Sequence, residues 1–173
     1  MNLIIEENKV VTIVYELRDT NGNGELLERM DSRYPFTALF GTGKLLPSFE
    51  ENLYGLKEDD SFEFILSVDQ AYGRSNALNI LKINPEDFKR ASDVPDDYIK
   101  IGNLVNLMDD EGLNHNGKII DITPEYVQVD FNHVMVDKAL HFKGAVLSIR
   151  NATIEELIKG YYIKENGIRG SVS

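Results

Sequence analysis

The chain has 173 residues, 42% of them hydrophobic, enough for one substantial core or two small ones and too few for a large multidomain enzyme. Its formal net charge of −11 argues against nucleic acid as the main partner, because binding a phosphate backbone needs clustered Lys and Arg. Cysteine is absent, which excludes disulfides, thiol nucleophiles and thiolate metal sites and suits a reducing cytoplasm.

The first residues, Met1 to Asn8, carry no basic stretch followed by an apolar core. No apolar run approaches the roughly 20 residues that span a membrane. A soluble, unexported protein with no membrane partner is therefore expected. From Val11 to Leu17, the residues Val11, Ile13, Tyr15 and Leu17 alternate with Thr12, Val14 and Glu16, the period of a strand with one apolar face. Asp19-Thr20-Asn21-Gly22-Asn23-Gly24 is dense in residues that accept positive φ and reads as a hairpin loop into a strand near Glu25 to Met30.

After Phe36 to Phe40, the loop Gly41-Thr42-Gly43-Lys44 leads to Leu45, Leu46 and Pro47. Proline at a first turn and Gly55 as a stop predict a two-turn helix on which Leu46, Phe49 and Leu53 share a face. Ser61 to Val68 alternates again, through Phe62, Phe64, Leu66 and Val68, and ends at Ala71-Tyr72-Gly73.

Beyond Gly73 the texture changes. Arg74 to Asn84 is weakly periodic, Pro85 to Arg90 reads as a short polar turn or helix, and Ser92 to Asp97 is acidic. Three short strands are predicted at Leu104 to Met108, Lys118 to Ile122 and Tyr126 to Asp130, separated by turn-forming residues. A long strand over Leu140 to Arg150 precedes a helix opened by Thr153 and Glu156 at capping-box spacing and closed by Gly160. The stretch from Tyr161 onward reads as loosely ordered.

The chain carries little visible acid–base machinery. His115, His133 and His141 stand in no metal-ligand spacing, Asp109-Asp110-Glu111-Gly112 lacks the alternating ligands of a calcium loop, and no nucleophile elbow or phosphate loop is present. No metal or cofactor is expected. What remains is a set of apolar residues at element ends, which periodicity alone assigns to a core rather than to a binding pocket.

The order of those residues resembles the FKBP family. Phe36 to Leu56 resembles its signature of a glycine-containing loop entering a short helix beneath a pocket, and Ala71-Tyr72-Gly73 its A-Y-G tripeptide. About 60 residues then intervene where an ordinary FKBP domain has a loop, a length outside loop norms. Together with Asp130-Phe131-Asn132-His133 and Leu140-His141-Phe142, this is similar to SlyD-type FKBP proteins, peptidyl-prolyl isomerases with a chaperone domain inserted in the flap.

The resemblance implies an α+β, mainly β fold, with an FKBP-like antiparallel sheet wrapped on a short helix. It implies an isomerase domain over 1–74 and 130–160, an inserted β-rich chaperone domain over 75–129, and a tail over 161–173. It implies a site made of Tyr15, Glu28, Phe36, Leu45, Leu46, Phe49, Tyr72 and Phe142, in which the Leu46 N–H and the Tyr72 hydroxyl donate to peptide carbonyls. Unfolded or proline-containing polypeptides are the implied partners, and a monomer the implied state.

The chain also departs from the family pattern. Glu28 stands where an aspartate is usual, Leu27 where an aromatic is, Phe49 where many members have tryptophan, and Met135-Val136-Asp137 replaces L-A-G. The histidine- and cysteine-rich tail of the best-known SlyD proteins is missing, so nickel binding by a tail is not implied. Two other readings stay open on these departures: a holdase with weak or no isomerase activity, and an assembly component in which the aromatics are only core.

Overall fold

A computed structural model describes residues 2–20 and 24–164, so part of the predicted hairpin loop, 21–23, and the stretch 165–173 lie outside the described residues. The chain forms two compact units, one made of Met1–Gly73 with Asp137–Ser173 and the other of Arg74–Val136.

The first unit is built on two long strands. β1 (Lys9–Asp19) begins with the β-branched run Val10 to Val14, and β9 (Leu140–Asn151) runs antiparallel along its whole length. The other edge of β1 is shared: β3 (Phe36–Leu39) pairs with its first half and β2 (Leu26–Met30) with its second. β4 (Ser61–Leu66) pairs with β9 and closes the order β2-β1-β9-β4.

On β1 the alternation puts Val11, Ile13, Tyr15 and Leu17 on one buried face. β9 answers with Leu140, Phe142 and Val146, but its next buried residue is Ile149 rather than the one two places on. A register shift between Thr12 and Ile13 explains this: one extra residue on β9 reverses which face the following side chains occupy.

The helix α1 (Pro47–Leu53) packs beside β4 on that face and buries Phe49 and Leu53. It begins with Pro47, whose fixed φ suits a first turn, and the chain leaves it through Gly55 at φ +88°. α3 (Ile154–Lys159) has the predicted capping box. The Thr153 hydroxyl accepts the Glu156 N–H at 3.2 Å, the Glu156 carboxylate accepts the Thr153 N–H at 2.8 Å, and Gly160 ends the helix at φ +74°.

The stretch after Gly160, expected to be loosely ordered, is anchored where it is described. Tyr162 is buried against Val10 and Leu39 on the opposite face of the sheet, and Glu156 accepts the Ile163 N–H at 2.7 Å. The sequence concealed this because Tyr161-Tyr162-Ile163 is too short a run to show a period, and one buried ring suffices as the anchor.

The second unit is a four-stranded antiparallel sheet in the order β5-β8-β7-β6, with β5 at Ile80–Ile83, β6 at Leu104–Met108, β7 at Asn114–Ile122 and β8 at Val127–Asp130. β5 falls in the weakly periodic stretch because only its edges are half-buried. β7 begins four residues earlier than its apolar run suggested, through Asn114 to Gly117.

The segment at Pro85 is the helix α2 (Pro85–Ala91), capped by the Asn84 side chain, which accepts the Glu86 N–H at 2.9 Å. Its one large apolar residue, Phe88, is completely buried with Val105, Leu107, Ile119, Val127 and Val129. At the base of this unit Asn132 ties the entering chain to the leaving one. Its side chain accepts the Asn76 N–H at 2.8 Å and donates to the Asn76 carbonyl at 3.1 Å.

Among the described residues no helix is long and apolar enough to cross a membrane.

Candidate functional site

The buried face of the first unit gathers aromatic rings from four elements. Tyr15 on β1 meets Phe36 on β3 and Phe142 on β9 edge to face, with centroids 6.0 and 5.5 Å apart. Phe49 on α1 lies 6.2 Å from Phe36 and 5.1 Å from Phe142. Such pairs contribute about 0.5–1.5 kcal/mol beyond the area they bury, so the cluster also holds helix to sheet.

Four of the rings expected at the site therefore stand together, and a fifth was not singled out from the sequence. Phe64 on β4 stacks on Phe142 at 5.3 Å with planes 27° apart, and lies 6.0 Å from Phe49. Its alternation with Phe62 and Leu66 placed it on an apolar face. The missing signal was register, because Phe64 and Phe142 are direct cross-strand partners.

Gly144 lets β9 come close to β1 beside these rings. A Cβ there would come within 2.0 Å of the Val14 carbonyl oxygen and 2.8 Å of the Phe62 ring.

A carboxylate and two phenols border the rings. The Tyr15 hydroxyl donates to Glu28 on β2. Burial first, and then the bond to Glu28, push the Tyr15 phenol well above its ordinary pKa. Tyr72 sits in a compact turn after β4, where Ala71 N–H reaches the Ser67 carbonyl at 2.9 Å and Gly73, at φ +72°, donates to Val68 at 2.9 Å. Burial and the Glu28 charge raise its phenol too, although its side chain is 41% exposed. Both phenols remain protonated donors at neutral pH.

The glycine loop before α1 is fixed from within. Glu50 is buried and accepts the Gly41 N–H at 3.1 Å and the Tyr54 hydroxyl at 3.2 Å. Burial, then the Glu50 charge, push Tyr54 up to about 12. Leu46 is the N-cap of α1, so its own N–H has no place in the helical ladder. Leu46 is half-buried. Leu45 lies elsewhere, in a crevice with Leu39, Thr42, Lys44, Tyr161 and Tyr162.

Chain 73 ends and chain 137 resumes at one place, since the Asp137 N–H donates to the Gly73 carbonyl at 2.8 Å. Asp137 stands where the family pattern has glycine and takes φ +61°, a left-handed backbone that aspartate tolerates better than most residues.

Comparison with known proteins gives this geometry a context. The pattern of the FKBP-type peptidyl-prolyl cis-trans isomerases matches residues 3–88. SlyD of Aeromonas hydrophila, named an FKBP-type peptidyl-prolyl cis-trans isomerase, is 29% identical over 152 residues, 88% of this chain and 68% of that protein. SlyD of Haemophilus influenzae is 27% identical over 158 residues, 91% of this chain and 78% of that protein. A probable 16 kDa FKBP-type isomerase of Pseudomonas fluorescens is 27% identical over 146 residues, covering 84% of this chain and 92% of its own length. On these matches the chain belongs to the FKBP-type peptidyl-prolyl cis-trans isomerases and is SlyD-like.

Proposed function

We propose that the aromatic cluster is the isomerase site, with Tyr15, Phe36, Phe49 and Phe142 enclosing the proline of a polypeptide substrate. Turning an X-Pro bond means crossing a barrier of about 18–20 kcal/mol, because the planar amide loses its resonance as it twists. No proton need be moved covalently. The twisted amide is less charge-separated than the planar one, so a dry apolar site raises the ground state more than the transition state. The Leu46 N–H and the Tyr72 hydroxyl supply donors for carbonyls flanking the proline, while Glu28 orients Tyr15.

The observation that carries this reading is the convergence of nearly water-free rings from four elements, the Tyr15 phenol among them, beside the Tyr72 phenol. In a protease-coupled proline-peptide assay, Phe49→Ala should lower kcat/KM at least tenfold while circular dichroism shows the protein folded. An unchanged rate in a folded Phe49→Ala protein rules the site out.

For the second unit we propose capture of unfolded polypeptide. Its support is a groove of about 370 Å³ lined by Leu81, Ile83, Leu107, Met108 and Phe131, with Leu78 at 82% exposure beside it. Exposed apolar surface of this kind marks an interaction site. Tethering a captured chain raises the concentration of its prolines near the isomerase unit without any new contact there. Replacing residues 75–129 by a short loop should leave small-peptide turnover intact and slow the refolding of a proline-limited protein. Equal acceleration of that refolding by both proteins removes the second unit from the mechanism.

A further inference from the structure

The loop Gly41–Leu46 carries the Leu46 N–H on which the proposed carbonyl contact depends, and it is intrinsically soft. Gly41 and Gly43 both have left-handed backbones, at φ +89° and +76°, and a Cβ at Gly43 would meet nothing within 4 Å. Such a loop keeps one conformation only if its surroundings hold it. Glu50 holds its first residue from inside. Its later residues are held from outside by the turn that follows α3.

The Lys44 ammonium donates to the Gly160 carbonyl at 2.7 Å and lies 5.7 Å above the Tyr161 ring, while Leu45 sits in the crevice it shares with Tyr161 and Tyr162. That turn is itself firmly anchored. Tyr162 is buried between Val10 and Leu39. Glu156, 1% exposed, takes the forked Arg150 guanidinium at 2.6 and 2.8 Å and also accepts the Ile163 N–H.

We propose that residues 160–163 are a positioning element for isomerisation, acting through Lys44 and Leu45 to hold the loop that presents the Leu46 N–H. The proposal rests on the site reading above. A single exposed lysine bond contributes little by itself, so its hold on the loop depends on the turn that carries Gly160 and Tyr161 being kept in place by the buried Tyr162. A displacement of about 1 Å at a substrate-holding group can cost up to a hundredfold in rate, so a modest slackening is measurable.

The test measures kcat/KM on an X-Pro peptide at low temperature, with folding checked by circular dichroism, for five variants. Tyr162→Ala should fall about tenfold, and Tyr162→Phe, which keeps the buried ring, should stay at the wild-type value. Lys44→Met, at an exposed position, should fall about threefold at unchanged melting temperature, with a shift of the Leu46 amide resonance. Ile149→Ala removes a buried side chain of β9 that is not among the residues holding the loop; it should lose stability but keep its rate, which separates positioning from general destabilisation. Phe49→Ala controls for the site. If Phe49→Ala collapses the rate while Lys44→Met and folded Tyr162→Ala retain it, the positioning role is overturned and the site reading stands. Should Phe49→Ala itself turn over normally, the site reading falls and this proposal with it. Where Tyr162→Ala does not fold, the rate and Leu46 resonance of Lys44→Met decide.

Discussion

The two phenols beside Glu28 should separate cleanly, one into stability and one into rate. Tyr15 is 7% exposed and its hydroxyl donates to a carboxylate. Tyr15→Phe deletes a hydrogen bond to a charged acceptor, a loss of about 1.5–3 kcal/mol, and the lower end applies because Glu28 is only half-buried and water can replace the phenol in part. With a urea slope of about 1.5 kcal/mol per molar, a loss of about 1.5 kcal/mol moves the unfolding midpoint down by about 1 M. Tyr72 is 41% exposed, so Tyr72→Phe should change stability by less than about 0.5 kcal/mol. If its hydroxyl bonds the twisting substrate, the loss of one neutral hydrogen bond of about 1 kcal/mol lowers kcat/KM about fivefold. Urea melts followed by far-ultraviolet circular dichroism, which needs no tryptophan, and the proline-peptide assay read the two effects independently. A Tyr72→Phe protein within twofold of wild-type kcat/KM refutes the hydroxyl contact. A Tyr15→Phe protein with an unshifted midpoint refutes the assignment of Glu28 as its partner.

Gly144→Ala should cost about 3 kcal/mol or more in urea, because the new Cβ meets the Val14 carbonyl oxygen at 2.0 Å and the backbones of β1 and β9 must part to admit it; an unchanged midpoint would contradict the strand approach described. The Arg150 guanidinium holds the Glu156 carboxyl down to about 2, against burial that alone would raise it. A lowered folded pKa stabilises above the unfolded value of 4.5 and is lost as pH falls from there to about 2, so the acid limb of stability should flatten over that window in Glu156→Gln. Asn132→Ala removes the bonds to Asn76 and one from the Asn79 amide at 3.2 Å, and should speed amide exchange in β5 and β8 with no change in β1. Uniform acceleration across both units would count against a local clamp.

Most of the first unit was readable because its strands alternate. Val11 to Leu17 and Phe62 to Leu66 declare a buried face in any context, and Thr153, Glu156 and Gly160 carry local capping chemistry that needs no tertiary information. What was hidden depends on pairing. The bulge in β9 leaves no mark in a run as apolar as Leu140 to Ile149, yet it decides that Ile149 rather than Ser148 faces the core. β5 was invisible because a four-residue strand with half-buried ends has too few positions to show a period. Tyr162 was overlooked because its partners, Val10 and Leu39, come from the far end of the chain.

The candidate site was legible in a different way, and the reason lies in its chemistry. A hydrolase announces itself through a nucleophile and a base whose types are rare enough to notice. An isomerase that works by drying and enclosing an amide uses the same phenylalanines that any core uses, so composition and period could place Phe36, Phe49 and Phe142 only in a core. It was the resemblance carried by the order of the glycine loop, the A-Y-G turn and the late Leu-x-Phe that made them candidates for a pocket. Asp137 bears on that resemblance from the opposite direction. Its replacement of glycine departs from the pattern by letter, yet at φ +61° the chain keeps the left-handed turn that a glycine there would permit. What the motifs record at such a position is a backbone conformation, and a residue that can adopt it conserves the geometry without conserving the letter.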